Sequence, residues 1–114
     1  MNEPSSAQRL IGEVALRATA DGGRRSGVLS GYRVQALLEG IVDFPPGTRS
    51  APVVFNDCAV YFDAELLSPG QNIAARIYPL APEFWSKVRP GDILGLYEGY
   101  RLVGSARIDG NIES

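Results

Sequence analysis

Apolar positions along this chain come in short runs broken by glycine and proline, and no stretch carries a long stripe of period 3.6. From Gly12 to Ala18, Val14 and Leu16 fall on one face, with Glu13 and Arg17 on the other, as in a half-buried strand. Val34–Asp43 predicts a second strand, stopped by "FPPGTRSAP", whose three prolines cannot sit in a central ladder. Short strands are expected at Val53–Phe55 and Ala59–Phe62, around a turn at Asn56-Asp57. Ile73–Tyr78 alternates Ile73, Ala75 and Ile77 against Ala74, Arg76 and Tyr78. "SPGQN" (68–72) and "RPGD" (89–92) are turns, each with proline setting φ ahead of a glycine. "APEFWSKV" (81–88) predicts one helical turn with proline near its start. Ile93–Tyr97, the turn at "EGY" and Arg101–Ile108 form a closing hairpin. The loop "TADGGRRSG" separates the first two strands, with Val28-Leu29 as a short connecting piece. Roughly six or seven short strands with turn signals between them predict an all-β fold, a small closed antiparallel barrel or sandwich. The domain spans 10–108, with a flexible tail at 1–9 and a loose one at 109–114.

Composition narrows the chemistry. With 114 residues and 45% hydrophobic content, one domain with a packed core is expected, and disorder is not. No apolar stretch approaches a membrane span, and the N-terminus lacks the basic start and apolar middle of a secretory signal. Histidine is absent, which removes the usual general base and the commonest metal ligand, and with them any Ser-His-Asp or Cys-His arrangement. The single cysteine, Cys58, permits no intrachain disulfide and reads as a buried small apolar residue of a reducing, cytoplasmic compartment. Glu13, Asp43, Asp57, Asp63, Glu65 and Asp92 are scattered without ligand spacing, so no metal is expected. No Gly-Lys-Ser/Thr phosphate loop occurs, and "DGGRRSG" lacks the strand-loop-helix setting of a nucleotide motif. Neither a cofactor, a nucleotide nor enzymatic activity is expected. The net charge of −2 argues against binding nucleic acid by bulk attraction, while leaving room for a local patch.

The segment "GEVALRATADGGRRSGVLSGYRVQ" (12–35) resembles the opening of the C-terminal, third β-barrel domain of the elongation factor Tu family. There a strand leads into a Gly-Gly-Arg loop, and a Gly-Tyr-Arg-x-Gln segment begins the next strand. The matching residues are Gly22, Gly23, Arg24, Gly31, Tyr32, Arg33 and Gln35. "SPGQN" is similar to that family's Pro-Gly-Asp-Asn turn, and "YEGYRLVGSARI" (97–108) to its closing hairpin, through Glu98, Gly99, Arg101, Val103 and Gly104. The resemblance implies a six-stranded antiparallel barrel standing alone, without the GTPase domain and the second barrel. In the family this barrel touches the tRNA backbone and docks on protein partners. Carried over, the tRNA-facing positions are Arg24, Gln35, Glu98 and Gly99: Arg24 for a phosphate, Glu98 for a ribose 2′-hydroxyl, Gly99 for close backbone approach.

The departures fall on the RNA side. Arg25 stands where the family has histidine, Tyr100 replaces the second glycine of the closing turn, and Tyr97 a basic residue. Phe84-Trp85 lengthens the preceding loop, as a barrel plug or as an exposed anchor. Arg24 and Arg33 have two readings, as bridges to nearby acids and carbonyls or as contacts to a partner. The expected function is a non-enzymatic module that binds another protein, with Arg25, Arg33, Phe84, Trp85 and Tyr100 as further contacts. The alternatives are a tRNA-binding accessory of translation and a bacterial immunity or antitoxin-like protein that blocks a toxin.

Overall fold

The structure is a computed structural model that describes residues 3–4, 9–38 and 55–112. Six strands close into one antiparallel barrel: β1 (Arg9–Leu16), β2 (Tyr32–Leu37), β3 (Phe55–Tyr61), β4 (Asn72–Pro79), β5 (Ile93–Glu98) and β6 (Arg101–Ile112). Around the barrel their order is β1, β4, β3, β2, β5, β6, and β6 returns to β1. Closure leaves no sheet edge unpaired all along its length, which suits so small a domain.

The alternation read along the chain is the inside-outside alternation of the barrel wall. Val14, Leu16, Val34, Ala36, Val60, Ala75, Ile77, Leu94, Leu96, Val103, Ala106 and Ile108 point inward and are buried. The outer face is not uniformly polar. Ala59, Tyr61 and Tyr78 form a second, separate buried cluster, with the two rings edge to face at 5.4 Å. Ala59 and Tyr78 are cross-strand partners, next to the inward pair Val60 and Ile77, so the cluster lies on the outside of β3 and β4.

Three expectations change. Asn56-Asp57 is no turn: β3 runs straight through it, and the two residues pair with Ala36 and Gln35 of β2. Both are turn-formers by composition, but their backbone groups are satisfied across the sheet and Asp57 faces solvent, so nothing penalises them in a strand. The stretch from Asp109 is not a loose tail either. β6 continues to Ile112, and beyond a register shift at Ile11/Gly12 its last residues pair with Arg9–Ile11. At that shift the strands come so close that a Cβ on Gly12 would lie 2.0 Å from the Arg107 carbonyl oxygen, which only glycine avoids. Finally, β1 already starts at Arg9, one residue ahead of the expected domain start, and Glu3 is held by Arg76 through Nε (2.6 Å) and Nη2 (2.8 Å). That pairing, a hydrogen bond from Tyr78 and the nearby Arg9 charge hold the Glu3 carboxyl below the usual carboxylate range against the opposing effect of burial.

The expected turn at 81–88 is present as a 3-10 turn, Pro82–Trp85. The strand expected over 39–43, the "FPPGTRSAP" loop and the strand start at Val53-Val54 lie outside the described residues. Among the described residues no helix is long and apolar enough to cross a membrane.

Candidate binding surface

The loop between β1 and β2 reaches over one end of the barrel. After β1, Thr19–Asp21 makes one 3-10 turn that Gly22 ends at φ 98°, with its N–H on the Thr19 carbonyl. Gly23 turns the chain against β1, where its N–H meets the Ala18 carbonyl at 3.0 Å. Further on, Val28 bridges to Leu67 of the β3–β4 connection by a reciprocal pair of 2.9 Å hydrogen bonds, and both side chains enter the core. Gly31, at φ 92°, then aims the chain into β2, and its N–H donates to the Val60 carbonyl at 2.8 Å. The glycines of this stretch are architecture, as their positions in the sequence suggest.

Arg24 is built into the same architecture. Its Nη1 donates to Glu98 Oε2 at the end of β5, its guanidinium lies 5.5 Å from the centre of the Tyr32 ring, and its Nε meets the Ser26 carbonyl at 3.2 Å. The Tyr32 hydroxyl donates to the same Glu98 oxygen. Burial, reinforced by that hydrogen bond and the carboxylate charge, raises the Tyr32 phenol well above its ordinary value. Two of the four residues expected to face RNA therefore meet each other directly, and Tyr32 hydrogen-bonds to the same carboxylate.

Beside this pair β2 and β5 adjoin. Among the described residues their ladder holds Gln35 with Tyr97 and Ala36 with Leu96, and beside it lies a notch of about 210 Å³. Arg33, Gln35, Asp57, Tyr97, Glu98 and Gly99 line it. The Tyr97 ring packs edge to face on Phe55 at 5.1 Å, across the outer face of β2. The barrel thus brings Arg24, Gln35, Glu98, Gly99 and Arg33 to one place, with Asp57 and Tyr97 as neighbours that spacing could not supply. Asp57 is opposite Gln35 only because of the β2–β3 register.

One arc of this end is rich in arginine. Arg17, Arg25, Arg33 and Arg101 are exposed and have no anionic partner among the described residues. They sit at the end of β1, in the loop, and at the starts of β2 and β6, along the contiguous arc β2, β5, β6, β1. Asp21 and the already paired Glu98 oppose them there, Asp57 shares the notch with Arg33, and the exposed Asp63 and Glu65 lie in the β3–β4 connection at the same end. Tyr100, at the tip of the β5–β6 hairpin, is 96% exposed.

Phe84 and Trp85 are not part of this surface, because the β4–β5 connection lies at the other end of the barrel. Trp85 is buried in the main core cluster, so of its two readings the barrel plug holds and the partner contact does not; Phe84 beside it stays exposed. Cys58 is buried as expected, and burial pushes its thiol up to about 12. Among the described residues no cluster of three acidic or sulfur ligands is placed to hold a metal. No protein-family profile matches the chain, and no curated protein matches it.

Proposed function

We propose that this chain is a non-enzymatic binding module of the kind represented by the C-terminal barrel of elongation factor Tu, and that it docks on an acidic surface of another protein. The contact face is the barrel end that carries Tyr100, Arg25, Arg33 and Arg101. The observation that carries the reading is Tyr100: a tyrosine 96% exposed at a hairpin tip, beside arginines that have no anion of their own among the described residues. Tyrosine and arginine are the residue types most often found to dominate protein interfaces, and an arginine-rich arc supplies steering toward an acidic partner. Arg24 and Glu98 serve in this reading as the brace that fixes the loop against the hairpin, not as contacts.

A tRNA-binding accessory is the second reading, favoured by the same basic arc and by Arg33 and Gln35 lining the notch beside Gly99. A phosphate backbone would meet that arc with the strong salt dependence of counterion release. The test pairs two measurements on wild type, Tyr100→Ala and Arg33→Glu. Crosslinking in a cell extract is expected to give one specific protein partner with wild type, lost with either variant. Titration with bulk tRNA is expected to give only binding that vanishes at physiological salt. Binding of tRNA that survives physiological salt and weakens with Arg33→Glu, with no protein crosslink, would replace the first reading by the second.

A further inference from the structure

At the other end of the barrel, between the start of β1, the end of β4 and the 3-10 turn, lies a cavity of about 290 Å³. Its apolar lining comes from Leu10, Pro79, Pro82 and Val88, with the Trp85 ring among them. Arg9 also lines it, and so does Glu83, which is exposed on the turn. Two buried side-chain donors have no hydrogen-bond partner among the described residues: Arg9 Nε and Trp85 Nε1. Both belong to residues that line this one cavity, each atom lying just beneath its wall.

That coincidence is chemically specific. A buried N–H without an acceptor loses its hydration and gains nothing in return, so folded proteins keep few of them. Among the described residues Arg9 does not have a carboxylate to itself. Its Nη1 donates to the Tyr78 hydroxyl at 3.3 Å, while the nearby Glu3 is held bidentately by Arg76. A guanidinium N–H and an indole N–H are both donors and neither can accept. The complement is an acceptor with more than one lone pair and, facing a guanidinium, a negative charge.

We infer that this cavity is a binding site for a small carboxylate with a compact apolar body, its oxygens accepting from Arg9 Nε and Trp85 Nε1 once these two side chains turn toward the cavity, and its body packing on Leu10, Pro79 and Val88. The volume, at the small end of the ~300–1,000 Å³ typical of ligand pockets, limits the ligand to a short chain or a single ring. Glu83 opposes an anion, but it is exposed and screened by solvent, whereas the Arg9 donor is buried. This site is separate from the arginine-rich arc, so either can fail without the other.

Trp85 is the only tryptophan of the chain, which makes the test direct. The indole N–H cross-peak of the full-length ¹⁵N-labelled protein is followed while hexanoate or phenylacetate is added, with hexanamide and phenylacetamide as neutral controls of the same shape. A saturable downfield shift is expected with a carboxylate, and binding at least about tenfold weaker with its amide, since a charge-assisted hydrogen bond is lost. Arg9→Met is expected to abolish the preference for carboxylate over amide, and Glu83→Gln to tighten carboxylate binding. Arg33→Glu and Tyr100→Ala, at the far end, are expected to leave the titration unchanged. No shift with either acid, or equal binding of acid and amide, overturns the inference and leaves the cavity to water. The acid-amide comparison uses the wild-type protein, so a variant that fails to fold does not rescue the idea.

Discussion

Replacing Glu98 by alanine tests whether Arg24 and Glu98 are a brace or a pair of vacant ligand contacts. One Glu98 oxygen accepts from both Arg24 and the Tyr32 hydroxyl. The two charged side chains keep 25% and 35% of their exposure, which places the pair between two regimes. Exposed pairs contribute ~0.2–1 kcal/mol, while breaking a buried one costs ~3–5 kcal/mol. With Glu98 about a third open to solvent, about 1 kcal/mol is the appropriate figure for the ion pair. The Tyr32 hydrogen bond goes to a charged acceptor from a half-buried phenol, and such bonds contribute ~1.5–3 kcal/mol, the low end fitting here. Glu98→Ala should therefore cost about 2–3 kcal/mol, and Glu98→Gln, which keeps an acceptor for Tyr32, about 1 kcal/mol. For a domain of this size each kcal/mol lowers Tm by ~4 °C or somewhat more, so the alanine variant should melt about 8–12 °C below wild type. Urea unfolding followed by Trp85 fluorescence gives the same quantity, with an unchanged m-value expected if only the native contact is lost. A double-mutant cycle with Arg24→Ala should return a coupling of about 1 kcal/mol that shrinks in high salt. A coupling near zero, with Glu98→Ala as stable as wild type, refutes the brace and returns both side chains to the list of available RNA contacts.

Three further outcomes follow from the fold. Gly31→Val forces a β-branched residue to φ 92°, close to the Tyr61 ring, and should destabilise by about 2 kcal/mol or more in thermal melts; equal Tm values for variant and wild type remove the backbone argument. Cys58 should resist a thiol-specific reagent at mildly alkaline pH in the native protein and react at once in urea, since it is buried and its thiol is raised to about 12; rapid native labelling contradicts that burial. The Tyr32 phenol, raised in the folded state, contributes stability that is intact below the ordinary tyrosine value of 10.0 and is lost as the pH climbs through the raised native one. Phenolate absorbance should accordingly show a late step that Tyr32→Phe abolishes, and the difference in stability between wild type and variant should narrow at the alkaline end.

How much of this was legible depends on the distance over which each feature is decided. Strand existence and most turns are local matters. The alternation at Val14 and Leu16, or at Ile73, Ala75 and Ile77, follows from a two-residue period with one wet face, and "SPGQN" and "RPGD" carry their own turn chemistry. A barrel could be expected from the count and shortness of those strands. Asn56-Asp57 shows where local reasoning stops, since its turn propensity was overruled by partners on β2 that are about twenty residues away in sequence. The extension of β6 to Ile112 has the same cause: a polar stretch becomes a strand when β1 offers it a ladder. Trp85 could be a plug or an anchor in the sequence, and burial alone separates the two.

The candidate surface divides in the same way. Loop glycines announced a tight corner, and the arginines announced positive charge. Arg24 lies 74 residues from Glu98, so neither could be known to satisfy the other until β2 and β5 became neighbours. The cavity with Arg9 and Trp85 is further still from any motif, because it is made by the two ends of β1 and β4 meeting a short turn. Side-chain periodicity and turn chemistry are properties of the chain and survive reading in one dimension. Which charges are paired, and which donors are left without an acceptor, depends on strand order and register, and these exist only once the barrel has closed.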